Sequence, residues 1–280
     1  MKIVIDGGSS KADWLFLNSN QVVTQIETLG FNPMLNNFEP FQASFLAHSN
    51  RPDPSKVSEV FYYGAGCSTP MTMSLAAKTL ETLFPNAKIH VDNDLIGAAR
   101  AASQGKPSVV AILGTGSNSC LFNGTKVIDQ VSNLGYLLGD EGGGYAIGRE
   151  ILRAFFYREL PPELTVAFQD KYQLTRNMLV DEIYNAASPN RKIASFAEFA
   201  VHYRSEESIQ EIVQDVFQEF ISKNLLKYRV TTSIPVHFIG SISYIFRNKL
   251  EFLLVKNNIL PGTFLRKPID GLGRYHGIKK

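Results

Sequence analysis

The sequence has few cysteines and almost no excess of charge. Its two cysteines, Cys67 and Cys120, are too few for a disulfide scaffold and lack the paired spacing of a zinc site. Lysine and arginine number 28 against 26 acidic residues, and the net charge of +2 gives no field that favours nucleic acid or an acidic membrane. We expect both cysteines to be reduced and structural, and we expect no nucleic-acid partner.

Long hydrophobic runs are also missing. No segment approaches the roughly 18 apolar residues of a membrane span, and Asp6 interrupts the stretch that a secretory signal would need to be apolar. The chain is nevertheless 44% hydrophobic and 11% aromatic, enough for a full core, which excludes disorder, collagen-like repeats and coiled coil. We expect a globular, cytoplasmic protein of one large domain or two moderate ones, with no membrane contact.

Two distant stretches share one pattern of strands and turns. The first has predicted strands at 2–5, 12–17 and 21–24, and the second at 109–113, 119–122 and 125–128. Asp6–Lys11 and Gly114–Asn118 form the polar turn after the first strand of each, and Asn123-Gly124 predicts a type I′ hairpin turn. A chance recurrence of one short hairpin is the alternative, but the shared order favours two lobes of the same design.

The remaining sequence predicts alternating strands and helices, then a mainly helical region. Predicted strands are 57–63, 88–91 and 235–239, and predicted helices are 73–84, 95–102, most of 149–232, and a segment from Gly240-Ser241 to about 256. Asn93 is the expected N-cap of the helix at 95–102, and Gly105 its expected end.

The two glycine-bearing turns are candidate phosphate-binding loops. Gly7 and Gly8 would let backbone N–H groups approach a phosphate, Ser10 would add a hydroxyl and Lys11 a positive charge. Asp6 would repel a phosphate directly, so its expected role is to hold a hydrated Mg²⁺. Gly114–Asn118 is the second candidate, although it completes neither a Walker A motif nor a dinucleotide fingerprint. An ordinary hairpin is the alternative for each.

Carboxylates near predicted strand ends are candidate catalytic or binding groups. Asp94 follows a short strand and begins a helix, where a carboxylate could accept the proton of an attacking hydroxyl. A helix cap is the alternative role, and Asp92 competes for the part of base. Residues 135–148 hold six glycines, which implies close backbone packing, and Asp140 and Glu141 there could accept hydrogen bonds from sugar hydroxyls. Gly240-Ser241 suits either a nucleotide or a plain turn.

In this combination and order, the motifs resemble the actin-like sugar-kinase superfamily. Within it, the sequence resembles the N-acetylglucosamine kinase family, which also contains the ATPases that activate benzoyl-CoA reductase and 2-hydroxyacyl-CoA dehydratases. The resemblance covers nearly the whole chain and rests on five motifs: Asp6–Lys11, Asn93-Asp94, Gly114–Ser117, Gly139–Gly142 and Gly240-Ser241.

The resemblance implies an α/β protein with two ribonuclease-H-like lobes around a nucleotide cleft and a helical elaboration of the second lobe. The first lobe would span 1–113 and the second 114–280, and the last residues could return to the first. It also implies ATP and Mg²⁺ as cofactors, a small sugar as substrate, and a homodimer as a common assembly.

The resemblance also assigns roles to single residues. Asp94 would be the base that activates the sugar 6-hydroxyl, and Asp6 would position Mg²⁺. The residues expected at ATP are Asp6, Gly7, Gly8, Ser9, Ser10, Lys11, Gly114, Thr115, Gly116, Gly240 and Ser241. Those expected at the sugar are Asn32, Asp94, Ser117, Asn118, Gly135, Tyr136 and Asp140.

The chain departs from the family pattern at two places. Ser9-Ser10 stands where Gly-Thr is usual, and 268–274 only loosely matches the small-residue segment at adenine. The leading function is an ATP-dependent kinase of N-acetylglucosamine or a related amino sugar. The alternatives are an ATPase that drives a redox partner, for which Cys67 and Cys120 would have to hold an iron–sulfur cluster, and a non-catalytic sugar-binding regulator.

Overall fold

In a computed structural model, which describes residues 1–19, 21–34 and 38–277, the chain forms two compact units. The first contains Met1–Pro107, Phe122–Ile128 and the segment from Lys267, and the second contains Ser108–Leu121 and Asp129–Arg266. The strand that begins at Pro107 pairs with a later strand along Val109–Ile112, which groups those residues with the second unit. A lobe boundary after residue 113 stays a prediction.

The first unit is built on a mixed five-stranded sheet. Its strands are β1 (Lys2–Gly7), β2 (Lys11–Asn18), β3 (Gln21–Leu29), β4 (Glu59–Gly64) and β5 (Lys88–Asn93), in the order β3-β2-β1-β4-β5. Its helices are α1 (Phe38–Leu46), α2 (Pro70–Leu83), α3 (Asp94–Ser103) and α13 (Ile269–Tyr275), with a 3₁₀ turn at Pro54–Lys56. Trp14 is fully buried in the core, stacks on Phe41 and Phe45, and donates its indole N–H to Thr28 Oγ1 at 2.8 Å.

The second unit has its own sheet and a larger set of helices. The strands of this sheet are β6 (Pro107–Leu113), β7 (Ser117–Asn123), β8 (Val127–Asp129), β9 (Val236–Ile239) and β10 (Pro261–Leu265), in the order β10-β9-β6-β7-β8. Residues Phe122–Ile128, which end β7 and begin β8, are grouped with the first unit. Its helices are α4 (Gly135–Leu138), α5 (Gly144–Phe156), α6 (Pro162–Tyr172), α7 (Arg176–Tyr184), α8 (Pro189–Ser195), α9 (Ala197–His202), α10 (Glu207–Lys223), α11 (Ser241–Ile245) and α12 (Arg247–Lys256), with a 3₁₀ turn at Leu225–Lys227. Side chains of α5, α9 and α10 fill its core against β6 and β9.

The two sheets have the same strand order. Read from β3 in the first sheet and from β8 in the second, the order β3-β2-β1-β4-β5 corresponds to β8-β7-β6-β9-β10. In each sheet the first strand along the chain, β1 or β6, pairs in parallel with the fourth, β4 or β9. The predicted duplication and the predicted α/β class are therefore confirmed. Helices dominate the second unit between α5 and α10, as the sequence predicted.

Local details differ from the sequence predictions at three places. The Asn123-Gly124 turn is not type I′, because a type I′ turn needs positive φ at both residues and only Gly124 has a positive φ, of 100°. The Asn123 side chain instead accepts the N–H groups of Thr125 and Lys126 and closes an Asx turn. Helix α3 ends on two left-handed residues, Gln104 and the predicted Gly105. The elements α1, β10 and α13 were not predicted.

Residues 268–274, the loose match to an adenine segment, belong to the first unit. Pro268 precedes α13, which packs on α3, and Gln104 Nε2 donates to the Gly271 carbonyl at 3.1 Å. A side chain at Gly271 would overlap the Ala101 carbonyl, so glycine permits this close approach.

Among the described residues, no helix is both long and apolar enough to cross a membrane.

Candidate active site

Three parallel strands of the first unit end at one edge of their sheet. In the register of β1, β4 and β5, Asp6 pairs with Tyr63 and Tyr63 with Asp92, so the residues that follow these strands lie side by side. The carboxyl ends of parallel strands are where open α/β sheets place functional groups. Asp6 and Asp94, predicted from separate motifs, are thereby brought to the same edge.

The first candidate loop is a tight turn between β1 and β2. Gly8 N–H donates to the Lys11 carbonyl at 2.9 Å, and Gly30 N–H donates to the Ser10 carbonyl at 2.9 Å. A Cβ on Gly30 would overlap the Gly8 carbonyl, so Gly30 supports the loop by direct backbone contact. Lys11 Nζ forms an ion pair with Glu27 at 2.6 Å, and this pair holds the positive charge of Lys11 beside the loop. Gly30 was missed because its role is a long-range contact without a local signal.

Asp6 lies among charged groups of the first unit. Burial, which is the largest cause, and the nearby carboxylates of Asp13, Asp94 and Asp270 together raise its pKa to about 7, and Lys267 opposes the rise. Asp13 is the cross-strand partner of Asp6, and Lys267 Nζ pairs with Asp13 at 2.8 Å. A half-buried carboxylate that is surrounded by protein atoms and like charges is the kind of group that a cation would stabilise in its ionised form.

Asp13 and Lys267 were not predicted as part of this cluster. Asp13 carried one signal, since it is a charge inside the otherwise apolar strand β2. Nothing local marks Lys267, which lies between β10 and α13 and reaches Asp13 through the tertiary fold.

Asp94 occupies the first position of α3, and the cap of that helix is Asn93, whose side chain accepts the Ile96 N–H at 2.8 Å. Asp94 Oδ1 accepts the Leu95 N–H at 2.9 Å. Its carboxylate reaches solvent although many protein atoms surround it, and this desolvation raises its pKa. Asp94 is therefore a partly desolvated carboxylate that the helix cap does not require.

Asp92, the competing carboxylate, forms an ion pair. It accepts a hydrogen bond from Arg100 Nη1, and the same nitrogen donates to the Tyr63 hydroxyl at 3.1 Å. Because Asp92 is already paired, the geometry favours Asp94 over Asp92 as a proton acceptor.

Asn32 lies beside the first loop. Its Nδ2 donates to Ser9 Oγ at 2.9 Å, and its Oδ1 accepts the Met34 N–H at 2.9 Å. Gly66, with φ of +79°, lies against the same amide and leaves no room for a side chain. The structure thus brings Asn32, which is expected at the sugar, together with Ser9, which is expected at ATP.

In the second unit, the second loop packs against the glycine-rich segment. Gly144 N–H donates to the Gly114 carbonyl at 2.8 Å, and Tyr145 N–H to the Thr115 carbonyl at 2.7 Å. A Cβ on Gly143 would lie 2.7 Å from the Gly116 backbone. Gly143, Gly144 and Gly148 therefore serve close backbone packing, as the number of glycines in 135–148 predicted, and Gly144 begins α5 directly beside the loop, whereas nothing lies within 4 Å of a Cβ on Gly135.

Two of the predicted sugar residues of the second unit, Ser117 and Asp140, are joined by a hydrogen bond, and the others have different partners. Ser117 N–H donates to Asp140 Oδ1 at 3.0 Å, and Asp140 itself has a left-handed backbone with φ of 60°. Asn118 Oδ1 accepts from Ser119 N–H and from Gln130 Nε2. Gly135 also has positive φ, and the Tyr136 ring packs edge-on against Tyr145. Ser117 and Asp140 lie at the base of the loop, while Thr115 is exposed at its tip.

Gly240 and Ser241 connect β9 to α11. Gly240 has φ of 121°, its N–H donates to the Leu265 carbonyl at 3.0 Å, and a side chain there would overlap the Leu113 carbonyl. Glycine is needed for the turn itself, and Ser241 is exposed at the start of α11.

The two cysteines are fully buried. Cys67 and Cys120 are free thiols with no solvent exposure, and burial raises the pKa of each to about 12. They are therefore protonated structural residues, as predicted. Buried thiols of this kind do not provide the thiolates that an iron–sulfur cluster needs.

Asp6 fits the role of a Mg²⁺ ligand. Within the described ranges, no group of three or more His, Cys, Asp or Glu side chains could hold a metal. Mg²⁺ beside phosphates keeps several waters and needs only one or two protein carboxylates. The raised pKa of Asp6 and its acidic neighbours are the surroundings in which a divalent cation would be favoured.

Comparison with known proteins finds N-acetylglucosamine kinases among the matches. No protein-family model matches the chain. A 101-residue region is 39% identical to N-acetyl-D-glucosamine kinase of Dictyostelium discoideum and spans 34% of this chain and about a third (32%) of that enzyme.

Solved structures match over the whole chain. A candidate N-acetylglucosamine kinase from Porphyromonas gingivalis is 32% identical over 99% of both chains, with a TM-score of 0.92. One from Chromobacterium violaceum is 16% identical, with a TM-score of 0.73 over 99% and 98% of the two chains. A ROK-family glucokinase from Streptomyces griseus, solved with glucose and AMPPNP, shares the fold at 12% identity, with a TM-score of 0.53 over 99% and 97%. With one full-length relative at 32% identity, this chain belongs to the N-acetylglucosamine kinase family.

Proposed function

We propose that this protein transfers the γ-phosphate of ATP to the 6-hydroxyl of N-acetylglucosamine or a related amino sugar. The observation that carries the proposal is the position of Asp94, a partly desolvated carboxylate that still reaches solvent, at the sheet edge where β1 also delivers Asp6 and the Gly8–Lys11 loop. Membership of the N-acetylglucosamine kinase family supports the same activity.

In this proposal Asp94 is the general base. Its Oδ1 is engaged by the Leu95 N–H, so the other oxygen would accept the proton of the sugar hydroxyl. The raised pKa makes Asp94 a stronger proton acceptor than an ordinary aspartate. A base of this kind contributes about 10²- to 10⁴-fold to the rate.

Asp6 would hold Mg²⁺, which neutralises charge on the phosphates when bound. The N–H groups of the Gly8–Lys11 and Gly114–Asn118 loops are the proposed phosphate donors, together with the hydroxyls of Ser10 and Thr115. Gly240 and Ser241 are proposed at the adenosine part of ATP. Asn32, Ser117, Asn118 and Asp140 are the proposed sugar contacts, with Gly135 and Tyr136 beside them.

A cytoplasmic location and a homodimer complete the proposal. The use of ATP supports the location, because cytoplasmic ATP would be the phosphate donor. The homodimer rests on the family resemblance, and its test is the mass of the protein by sedimentation equilibrium.

The deciding experiment measures ADP release with a panel of N-acetylglucosamine, N-acetylmuramic acid, glucosamine and glucose. We expect ADP release that depends on an amino sugar. An equal rate of ADP release with and without sugar would indicate an ATPase that drives a redox partner. The absence of ADP release with every sugar would indicate a non-catalytic regulator.

Asp94→Asn tests the mechanism. It should lower kcat by about 10²- to 10⁴-fold while AMPPNP binding, measured by calorimetry, is kept. Asp92→Asn is the matched control. Because Asp92 pairs with Arg100, we expect this substitution to lower kcat far less than Asp94→Asn does. Equal losses in both variants, or full activity in Asp94→Asn, would contradict the assignment.

A further inference from the structure

One hydrogen bond joins the first loop to Asn32. Asn32 Nδ2 donates to Ser9 Oγ, and Met34 N–H donates to Asn32 Oδ1, both at 2.9 Å. A backbone N–H can only donate, so the contact with Met34 fixes the oxygen end of the amide, and the nitrogen end then faces Ser9. These two partners together set which way the amide points.

The backbone segments around this hydrogen bond are in direct contact with one another. Gly30, two residues before Asn32, donates its N–H to the Ser10 carbonyl and lies too close to Gly8 for any side chain. Gly66 is packed in the same way against Asn32 Oδ1. The Gly8–Lys11 loop and the Gly30–Asn32 segment therefore form one structural unit.

An asparagine amide recognises a polar ligand by presenting a donor and an acceptor in one plane. A half-turn of the amide exchanges the two and removes the match. An amide that is oriented before the ligand arrives does not pay the ordering cost on binding. The Ser9 hydroxyl is the side-chain group that supplies this orientation from the loop.

We propose that Ser9 is a positioning residue for sugar recognition, because its hydroxyl holds the Asn32 amide in the orientation that binds the amino sugar. This inference rests on the proposed function. It gives Ser9 a role toward the sugar, although Ser9 lies in the loop expected at phosphate.

The test compares substitutions at Ser9 by steady-state kinetics with N-acetylglucosamine and ATP varied separately. Ser9→Ala removes the hydroxyl and should raise the sugar KM by about three- to tenfold, the cost of one lost hydrogen bond. The ATP KM should rise by a smaller factor. Ser9→Thr keeps a hydroxyl and should restore most of the sugar KM.

A second variant and a control separate the proposed role of Ser9 from misfolding and from a general effect of removing a hydroxyl from the loop. Ser9→Cys keeps the size of the side chain but is a weak acceptor, so it should repeat the effect of alanine even if Ser9→Ala folds poorly. Ser10→Ala removes the neighbouring hydroxyl, which has no role toward Asn32, and should raise the ATP KM more than the sugar KM.

The outcomes separate this inference from the proposed function. An active wild type whose Ser9→Ala variant keeps its sugar KM, or shows a rise only in the ATP KM, would overturn the inference alone. A wild type without any sugar-dependent ADP release would overturn the proposed function and the inference with it.

Discussion

At the scale of single residues, the ionisation of Asp6 links the site to the stability of the protein. Its pKa is raised to about 7 by burial and by its acidic neighbours, against 3.8 for an ordinary aspartate. Between these two values the folded state holds a proton that the unfolded state has released. The stability contributed by protonated Asp6 is therefore present at low pH and is lost as the pH rises through 7.

Asp6→Asn should remove this pH dependence. Asparagine resembles the protonated acid, so without nucleotide or Mg²⁺ the variant should gain free energy of unfolding over wild type as the pH rises from 5 to 8. The gain should be on the order of 2 kcal/mol. Urea denaturation of both proteins at pH 5 and pH 8 measures it.

Asp53→Asn is the control for this experiment. Hydrogen bonds from Ser55 lower the pKa of Asp53, so its stabilising effect is lost only at acid pH and does not change between pH 5 and 8. Parallel pH profiles for wild type and Asp6→Asn would show that Asp6 titrates in the ordinary range.

At the scale of elements, a single glycine sets the distance between α3 and α13. Gly271 lies so close to the Ala101 carbonyl that a methyl group would overlap it. Helix α13 is seven residues long and also packs on β1 and β2, near Asp6. The packing of this short helix thus supports the strands that carry the acidic cluster.

Gly271→Ala should destabilise the protein by about 1–3 kcal/mol, because the helices must separate to admit the methyl group. For units of this size, each kcal/mol lowers Tm by about 2–4 °C. Scanning calorimetry measures the shift.

Gly114→Ala serves as its comparison, since nothing lies within 4 Å of a Cβ at Gly114 and its φ is not positive. We expect its Tm to match that of wild type. An unchanged Tm in Gly271→Ala as well would mean that α3 and α13 tolerate wider spacing.

At the scale of the whole molecule, each unit has its own hydrophobic core and its own buried cysteine. Trp14, the one tryptophan in the sequence, and Cys67 lie in the core of the first unit, and Cys120 is buried in the second. The chain therefore carries a separate chemical probe of opening for each unit.

Neither cysteine should react with a thiol reagent in the native protein, because burial keeps both as thiols with pKa near 12. In a urea series, labelling of Cys67 should follow the change in Trp14 fluorescence, and labelling of Cys120 should report the second unit. Mass spectrometry of the labelled peptides measures each site. Rapid labelling of either cysteine without urea would contradict the burial of that thiol.

Much of the fold could be predicted because strong local patterns agree with the tertiary structure. The strands of both meanders and the helix capped by Asn93 are of this kind. Strand β10 was missed because it begins Pro-Gly, a pair tolerated here only because β10 is at the edge of its sheet. Helix α13 was missed because its two glycines oppose helix formation, and its packing on α3 overrides that preference.

The candidate site divides in the same way. Residue type and order alone predicted Asp6, Asp94 and both loops, since turns after apolar strands are visible in the sequence. The roles of Asp13, Lys267 and Gly30 depend on contacts between residues far apart in the chain, which no local pattern encodes.

The amino-acid sequence by itself determined the repeated strand pattern, the fold class and the polar groups that the strand ends carry, because these depend on the spacing of apolar residues and glycines. The tertiary structure decided which of those groups act together. It paired Asp92 with Arg100 and left Asp94 as a partly desolvated carboxylate, and it joined Ser9 to Asn32. Ion pairs, desolvation and hydrogen bonds depend on distances in space, and only the folded chain fixes those.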